Sequence, residues 1–257
     1  MKRSKAFTLV ELLVVIGIIT LLVTMLVPSL TRARFQAQVA TCKANINGAV
    51  KGLLLYAPDY NGRLPTRGFN GSRFDEIGAN VGSEVSNASS NSRSLYIAIR
   101  ENILQPKIFN CPATDDAEAS TGNFFDFDCD TGSNYKNKLS YSFHLQFKNR
   151  GNEKGYPLAM ADNSQMAVLA DKSPCVTYPG SNYLSGTIAN TTDNSPNHER
   201  EGQNIGYLEG HVSWTEAPQA GVEGDNVYTV WSGDDKGNGV IAAGSMPQGL
   251  TDSFLVP

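Results

Sequence analysis

The N-terminal part of the chain is dominated by one apolar run. From Phe7 to Val27 there are 21 residues, and Glu11 carries the single charged side chain among them. About 20 apolar residues in a helix that rises 1.5 Å per residue cross the hydrocarbon core of a bilayer. The run therefore predicts a membrane-spanning helix. Because residues 1–6 contain three basic side chains and no acidic one, the positive-inside rule predicts a cytoplasmic N-terminus and an extracytoplasmic remainder.

Two ordinary explanations of this run meet difficulties. A secretory signal peptide has an apolar region of about 7–15 residues before a small-residue cleavage site, whereas this run ends in Pro28-Ser-Leu-Thr-Arg. A plain membrane anchor fits the length but leaves Glu11 unexplained. A carboxylate inside a bilayer costs about 2.5 kcal/mol or more, so Glu11 is expected to have a function and a partner.

The residues around Glu11 supply a third explanation. The segment Ala6-Phe7-Thr8-Leu9-Val10-Glu11-Leu12-Leu13 resembles the cleavage and methylation site of type IV prepilins and type II secretion pseudopilins. The resemblance implies cleavage between Ala6 and Phe7, N-methylation of Phe7, and a role in subunit assembly for Glu11, the fifth residue of the mature chain. The family usually has Gly before the cut, where this chain has Ala6. A Phe7 ammonium and the Glu11 carboxylate of a neighbouring subunit would neutralise each other in an apolar bundle, where either charge alone is costly.

The helical pattern continues beyond the apolar run. Small and apolar residues recur at three- and four-residue spacing after Pro28, which is typical of a helix; they are Leu30, Ala33, Ala37, Ala40, Ala44, Val50, Leu53 and Leu54. We expect one helix of about 45–50 residues, or about 70 Å, bent at Pro28 and ending before Pro58. We also expect the alanine stripe to take part in ordinary core packing.

The remaining chain indicates β-structure. Residues 66–93 predict an irregular insertion, and residues 94–104 a short helix. Alternation over residues 139–147 predicts a half-buried strand, and residues 166–170 a more buried one. Residues 204–208 and 211–214 flank Glu209-Gly210, which predicts a tight hairpin.

We therefore predict an α+β, pilin-like fold, with a long N-terminal transmembrane helix packed against a mainly antiparallel β-sheet head. The predicted divisions are a cytoplasmic leader at 1–6, a transmembrane and assembly helix at 7–27, an amphipathic helix extension at 28–57, and an extracytoplasmic globular head at 58–257.

The predicted hairpin carries a second resemblance. His198 is followed by ten residues and then by Glu209-Gly210, which is similar to a C-terminal motif of some pilin-like proteins: His, nine residues, Asp-Gly. The extra residue, and Glu in place of Asp, predict a looser or bulged turn. None of the three histidines has zinc-motif spacing, so we expect His198 to be a structural histidine rather than a metal ligand.

Two acidic loops are weak calcium candidates, because calcium takes oxygen ligands. Their candidate ligands are Asp126, Asp128 and Asp130 in one loop, and Asp234, Asp235 and Asn238 in the other. Ordinary solvated turns are the simpler explanation of both loops, because Asp, Asn and Gly are common turn residues. We therefore expect no cofactor, with calcium as the alternative.

Four cysteines, Cys42, Cys111, Cys129 and Cys175, allow three disulfide pairings, and free thiols are also open. Because pilin-like relatives often carry a helix cysteine and a Phe-x-Cys-Pro cysteine, the resemblance implies Cys42–Cys111, which leaves Cys129–Cys175.

Charge and missing motifs narrow the function classes. Residues 58–257 carry 14 basic and 24 acidic side chains, and this net charge of −10 disfavours nucleic acid as a partner. No nucleophile elbow, P-loop or dinucleotide motif occurs, so we expect no enzyme activity.

The sequence thus predicts a structural pseudopilin-like subunit in the inner membrane, with its head in the periplasm or on a cell-surface filament. Its expected partners are other pilin-like subunits, a prepilin peptidase and a secretion or pilus assembly platform. The alternative is an extracytoplasmic ligand- or carbohydrate-binding protein that uses a pilin-type anchor.

Overall fold

The computed structural model describes residues 8–66, 91–121, 125–127, 138–146, 157–174, 193–240 and 247–256. Its helices are α1 (Leu9–Tyr56) and α2 (Ser92–Arg100), with short 3-10 turns at Ala57–Tyr60, Pro106–Phe109, Pro196–His198 and Val222–Gly224. Its strands are β1 (Tyr141–His144), β2 (Ala167–Asp171), β3 (Gln203–Tyr207), β4 (Val212–Thr215), β5 (Val230–Ser232), β6 (Asp235–Val240) and β7 (Leu255–Val256). Contacts divide the chain into two compact units, Met1–Gln38 and Val39–Pro257.

The long helix predicted from the sequence is confirmed. α1 has 48 residues and contains Pro28, and it is long and apolar enough to cross a membrane. Its apolar side chains from Leu9 to Leu30 are exposed. The helix ends at Tyr56, two residues before Pro58, and Asn61 in the left-handed region (φ 57°) closes the 3-10 turn that follows.

The buried positions of α1 differ from those expected. Ala33, Ala37, Ala40 and Ala44 are all exposed, so the prediction that this stripe packs in the core is wrong. The buried apolar residues of α1 are instead Cys42, Ile46, Ala49, Val50, Leu53 and Tyr56. Val50 and Leu53 belong to the predicted apolar pattern, and all but Ala49 have more side-chain area to bury than alanine.

The head contains a five-stranded antiparallel sheet in the order β4-β3-β2-β1-β7, and β5 and β6 pair as a separate two-stranded antiparallel sheet. This confirms the α+β class. α1 packs closely on the sheet at Gly206, where an added Cβ would lie 2.7 Å from Val50 Cγ2. One apolar cluster includes residues of α1 and of the sheet, such as Val50 and Leu169. A second apolar cluster includes Ile205, Val227 and Tyr228.

The prediction of a half-buried strand at residues 139–147 is wrong in both its length and its burial. β1 is shorter, and all four of its residues are buried; Phe147 lies outside the described residues. Alternation failed to predict exposure because the polar positions of β1 are also covered: Ser142 Oγ accepts a bond from Ser173 N at 2.8 Å. The strand predicted at 166–170 is confirmed as β2, and it is buried throughout.

The predicted hairpin is confirmed as β3–β4, and its turn, which carries a left-handed glycine, agrees with the looser or bulged turn that was expected. Gly210 N donates to Tyr207 O at 2.8 Å, and Tyr207 N donates to His211 O at 3.0 Å. Gly210 alone in this turn has a positive φ, of 91°. Glu209 is therefore accommodated, because the left-handed position falls on the glycine.

Candidate functional site

The first turn of α1 holds the Glu11 carboxylate against Thr8. Glu11 Oε2 accepts bonds from Thr8 N and Thr8 Oγ1, both at 2.8 Å. In return, Glu11 N donates to Thr8 Oγ1 at 3.3 Å. This is a capping box, in which a Thr and a Glu three residues later satisfy backbone donors that the first turn leaves unbonded. The negative charge also lies at the favourable end of the helix dipole.

Hydroxyl groups further along the apolar segment are bonded within the helix itself. Thr20 Oγ1 donates to Ile16 O at 2.8 Å, and Thr24 Oγ1 donates to Leu21 O at 2.8 Å. Such bonds let Ser and Thr lie in an apolar environment without unsatisfied donors. Glu11 thus remains the one charged group between Thr8 and Val27.

The predicted processing residues Ala6 and Phe7 lie outside the described residues. The first described residue, Thr8, makes its bonds to Glu11 through its own amide and hydroxyl. Cleavage between Ala6 and Phe7 leaves both of these groups intact. The capping box is consequently compatible with an amine at Phe7.

A second group of chemically active side chains lies inside the head. A disulfide joins Cys42 to Cys111, with a Cα–Cα distance of 5.4 Å. It links α1 to the segment that follows the Pro106–Phe109 turn, which the motif resemblance had implied. Cys129 and Cys175, the other two predicted cysteines, lie outside the described residues.

His198 and Asp171 lie beside this disulfide. His198 Nε2 is 3.7 Å from Cys111 Sγ and 3.3 Å from Asp171 Oδ2, and both the His198 and Asp171 side chains are fully buried. The Trp214 ring packs edge-on against the imidazole, with centroids 5.6 Å apart. His198 therefore connects β2, the hairpin and the disulfide.

Asp171 is held in place by several donors. Asn204 N donates to its Oδ2 at 2.7 Å, and Asn197 Nδ2 donates to its Oδ1 at 3.2 Å. Ser195 caps the short turn that carries Asn197 and His198, accepting a bond from Asn197 N at 3.3 Å. Burial, followed by the Asp171 charge, raises the pKa of Tyr141 above its usual range.

In the part of the chain that the structure describes, the candidate calcium ligands of the two acidic loops do not converge on a common site. Asp126 is buried, and its Oδ1 accepts bonds from Ser92 Oγ of α2 and from the amide of the next residue, Phe127; Asp128 and Asp130 lie outside the described residues. Asp234 and Asp235 are exposed beside the β5–β6 turn, where Asp235 Oδ1 accepts a bond from Gly237 N at 3.1 Å. The side chain of Asn238 lies outside the described part.

Sequence reasoning missed Thr8 and Asp171. The Thr-x-x-Glu spacing of Thr8 and Glu11 is a recognisable capping-box signal. Asp171 is the last residue of the buried strand β2, but nothing in its local sequence identifies His198 as its partner, which is 27 positions away.

Comparisons with known proteins identify a family motif in the N-terminal segment, which includes the first turn of α1. A family model described as the prokaryotic N-terminal methylation motif matches residues 1–27. The type IV wide pilus major component PilA4 of Thermus thermophilus is 44% identical over 61 residues, which cover 24% of this chain and 47% of that protein. The ComG operon protein 3 homolog of Bacillus licheniformis is 33% identical over 65 residues, covering 25% of this chain and 67% of that protein. No solved structure matches.

The matched part thus spans about half of the first relative and two thirds of the second. The long apolar helix, the antiparallel head and these matches define a class, the membrane-anchored pilin-like proteins. The chain belongs to the type IV pilin-like family that carries the prokaryotic N-terminal methylation motif.

Proposed function

We propose that this protein is a structural subunit of a type IV pilus-like or type II secretion filament, cleaved between Ala6 and Phe7 and N-methylated at Phe7. The observation that carries the proposal is the exposed apolar segment of α1 with Glu11 fixed in its first turn. Exposed apolar area of this extent needs lipid or other helices around it. A bilayer surrounds this segment before assembly, and the helices of neighbouring subunits surround it afterwards.

Glu11 sets the register between neighbouring subunits. Both Thr8 bonds go to Oε2, so Oε1 can accept a bond from the Phe7 amine of the next subunit. In an apolar bundle an unpaired carboxylate is costly, and breaking such a pair by removing one partner is destabilising by about 3–5 kcal/mol. A subunit without this charge would still enter the membrane but would lose its place in the filament.

The proposed cellular arrangement follows from the charges flanking α1. The basic leader stays in the cytoplasm, the apolar segment crosses the inner membrane once, and the acidic head lies outside. A prepilin peptidase and an assembly platform are the partners required before and during assembly. This assembly through α1 requires no cofactor and no enzymatic activity of the subunit.

The charge is tested by Glu11→Gln. The amide oxygen of Gln keeps the acceptor for Thr8 but removes the negative charge, so capping and assembly are separated. We expect the variant to be inserted and processed like the wild type, and to be at least tenfold depleted from sheared filaments in quantitative immunoblots. Leu30→Gln, which alters an exposed apolar side chain without changing charge, is the control for polarity alone. Normal filament incorporation of Glu11→Gln would refute the proposed register.

A cavity in the head favours a second candidate function, ligand binding by an anchored head. Its volume is about 360 Å³, and its wall includes the stacked rings of Tyr56 and Tyr60, whose centroids are 3.8 Å apart. The lining residues are Tyr56, Tyr60, Thr66, Ile97, Arg100 and Glu101. Aromatic faces beside charged groups are suited to sugars. Binding of the detergent-solubilised full chain to a glycan array, lost in Tyr60→Ala, would support this function, and an array without signal would argue against it.

A further inference from the structure

Four buried side chains with metal-ligating atoms meet at one point of the head. They are Cys42, Cys111, Asp171 and His198, and one ligand atom from each lies within 4.8 Å of all the others. They come from α1, the segment after the Pro106–Phe109 turn, β2 and the Pro196–His198 turn. From this convergence we propose that the chain binds one Zn²⁺ through these four groups when Cys42 and Cys111 are reduced.

The distances from His198 to two of the other ligand atoms fit tetrahedral coordination. Zinc binds Cys sulfur at about 2.3 Å and His nitrogen or carboxylate oxygen at about 2.0–2.2 Å, so tetrahedral ligand atoms lie about 3.3–3.8 Å apart. His198 Nε2 is 3.7 Å from Cys111 Sγ and 3.3 Å from Asp171 Oδ2. The two sulfurs would separate from a bond of about 2.05 Å to a contact of about 3.8 Å, which side-chain rotation at the two cysteines can supply.

The donor set selects zinc over the hard cations. Two thiolates with an imidazole are typical of tetrahedral zinc sites, whereas calcium and magnesium take oxygen ligands. Thiolate charge buried without a counterion would be costly, and a divalent cation compensates for it.

The surroundings of the cluster already provide support for one of the ligands. Asn204 N and Asn197 Nδ2 hold the two carboxylate oxygens of Asp171. Hydrogen bonds of this kind orient a metal-ligating carboxylate and tune its affinity. The bond between His198 and Asp171 would be replaced by one metal bond from each residue, so neither buried group loses its partner.

Zinc and the disulfide are alternative states of the same cluster. In the reduced chain, two thiols release two protons as their thiolates bind Zn²⁺. A disulfide-bonded oxidant can then accept two electrons and two protons, becoming a dithiol, while Cys42 and Cys111 form their own disulfide and Zn²⁺ leaves. Either state joins α1 to the rest of the head, so the head keeps a crosslink in both reducing and oxidising surroundings.

The experiment uses the full chain in detergent, with Cys129→Ser and Cys175→Ser to remove the other two cysteines. The protein is kept reduced with a phosphine reductant, equilibrated with Zn²⁺, gel-filtered and analysed for metal. We expect one zinc per chain, with Co²⁺ in its place giving visible d–d bands and thiolate charge-transfer absorption. Zinc should also slow alkylation of Cys42 and Cys111 at least tenfold, and the oxidised chain should bind none.

Ligand variants distinguish this cluster from other binding. His198→Ala and Asp171→Ala should each weaken zinc binding at least tenfold. His211→Ala should leave binding unchanged, because His211 is half-exposed and paired with Glu209 at 2.7 Å. Because a ligand variant could fail to fold, the Co²⁺ spectrum of the otherwise unaltered cluster stands as an independent test. A reduced, folded chain that takes up no zinc, or zinc uptake that persists in His198→Ala, would overturn the proposal.

Discussion

At the residue scale, two consecutive non-glycine residues hold a backbone conformation that glycine prefers. Glu199 and Arg200 have φ values of 54° and 62°, directly after the buried His198. L-residues pay about 1–2 kcal/mol for the left-handed region, so this strain is a local cost of the turn that presents His198 to Asp171.

Replacing Glu199 by Gly should relieve that strain. Glycine enters the left-handed region freely but loses more chain entropy on folding, by about 0.5–1 kcal/mol. We therefore expect Glu199→Gly to raise the free energy of unfolding by up to about 1 kcal/mol in chemical denaturation. Glu199→Ala, which keeps a Cβ, should show no such gain, and equal effects of the two substitutions would contradict the strain argument.

Two buried carboxyl groups make the stability of the head depend on pH. Asp225 accepts bonds from Trp231 Nε1 at 2.8 Å and Ser253 N at 2.6 Å, while Asp252 Oδ2 accepts from Gln248 N at 2.6 Å. Burial raises the pKa of Asp225 from its ordinary 3.8 to about 7, with a further contribution from the Asp252 charge. Burial likewise raises the pKa of Asp252 to about 6.

The sign of this pH dependence follows from proton linkage. Since the folded state binds these protons more tightly than the unfolded state, the stability contributed by the two groups is fully present below about pH 4 and is lost as pH rises through about 6 to 7. We expect Asp252→Asn to raise stability at pH 8 by about 1 kcal/mol and to have little effect at pH 4, as read from tryptophan fluorescence during denaturation. The exposed Asp234→Asn is the control. A gain for Asp252→Asn that is equal at both pH values would show that charge is not its cause.

At the scale of elements, Gly206 determines how closely α1 approaches the sheet. A Cβ there would lie 2.7 Å from Val50 Cγ2 and 2.8 Å from Ile46 Cγ2. We expect Gly206→Ala to lower the free energy of unfolding by about 1–3 kcal/mol through overpacking. Gly237→Ala, whose Cβ would meet nothing closer than 3.8 Å, should change stability much less. Equal effects would mean that the helix has room to shift.

The elements also show how much of the fold the sequence could predict. α1 and its end near Pro58 follow from local physics, because an apolar run and a proline act over a few residues. The β3–β4 hairpin is likewise local, because Gly210 lies in the short turn between the two strands. The exposed alanine stripe and the fully buried β1 could not be predicted, since each depends on which distant segment covers a face.

The candidate sites also differ in whether neighbouring residues or distant segments determine them. Glu11 stands out because a charge inside an apolar run has a cost that can be read from neighbouring residues. The cluster of Cys42, Cys111, Asp171 and His198 has no such local signal, because its four members come from four separate elements and meet only after folding.

At the scale of the whole molecule, charge and apolar surface are separated along the chain. Residues 1–57 contain seven basic side chains and one acidic one, Glu11, whereas residues 58–257 have a net charge of −10. This asymmetry favours one orientation in a membrane, and in the filament that we propose it leaves Glu11 as the acidic group that faces a neighbouring subunit's N-terminus.

Capping of α1 by Thr8 should matter less than the Glu11 charge. Thr8→Val removes the hydroxyl acceptor and donor but keeps the amide bond to Glu11, so we expect a loss of helix stability of about 0.5–2 kcal/mol. Filament incorporation, measured in sheared fractions, should fall no more than severalfold, in contrast with Glu11→Gln. A complete loss of filaments in Thr8→Val would indicate that the cap, rather than the charge, governs assembly.

The most direct test of this account is mass spectrometry of the N-terminus of the protein isolated from its own membranes or filaments. We expect a mature chain that begins at Phe7 and is heavier by one methyl group on its amine. A chain that retains Met1, or that begins at any residue other than Phe7, would contradict the proposal that this is a processed filament subunit.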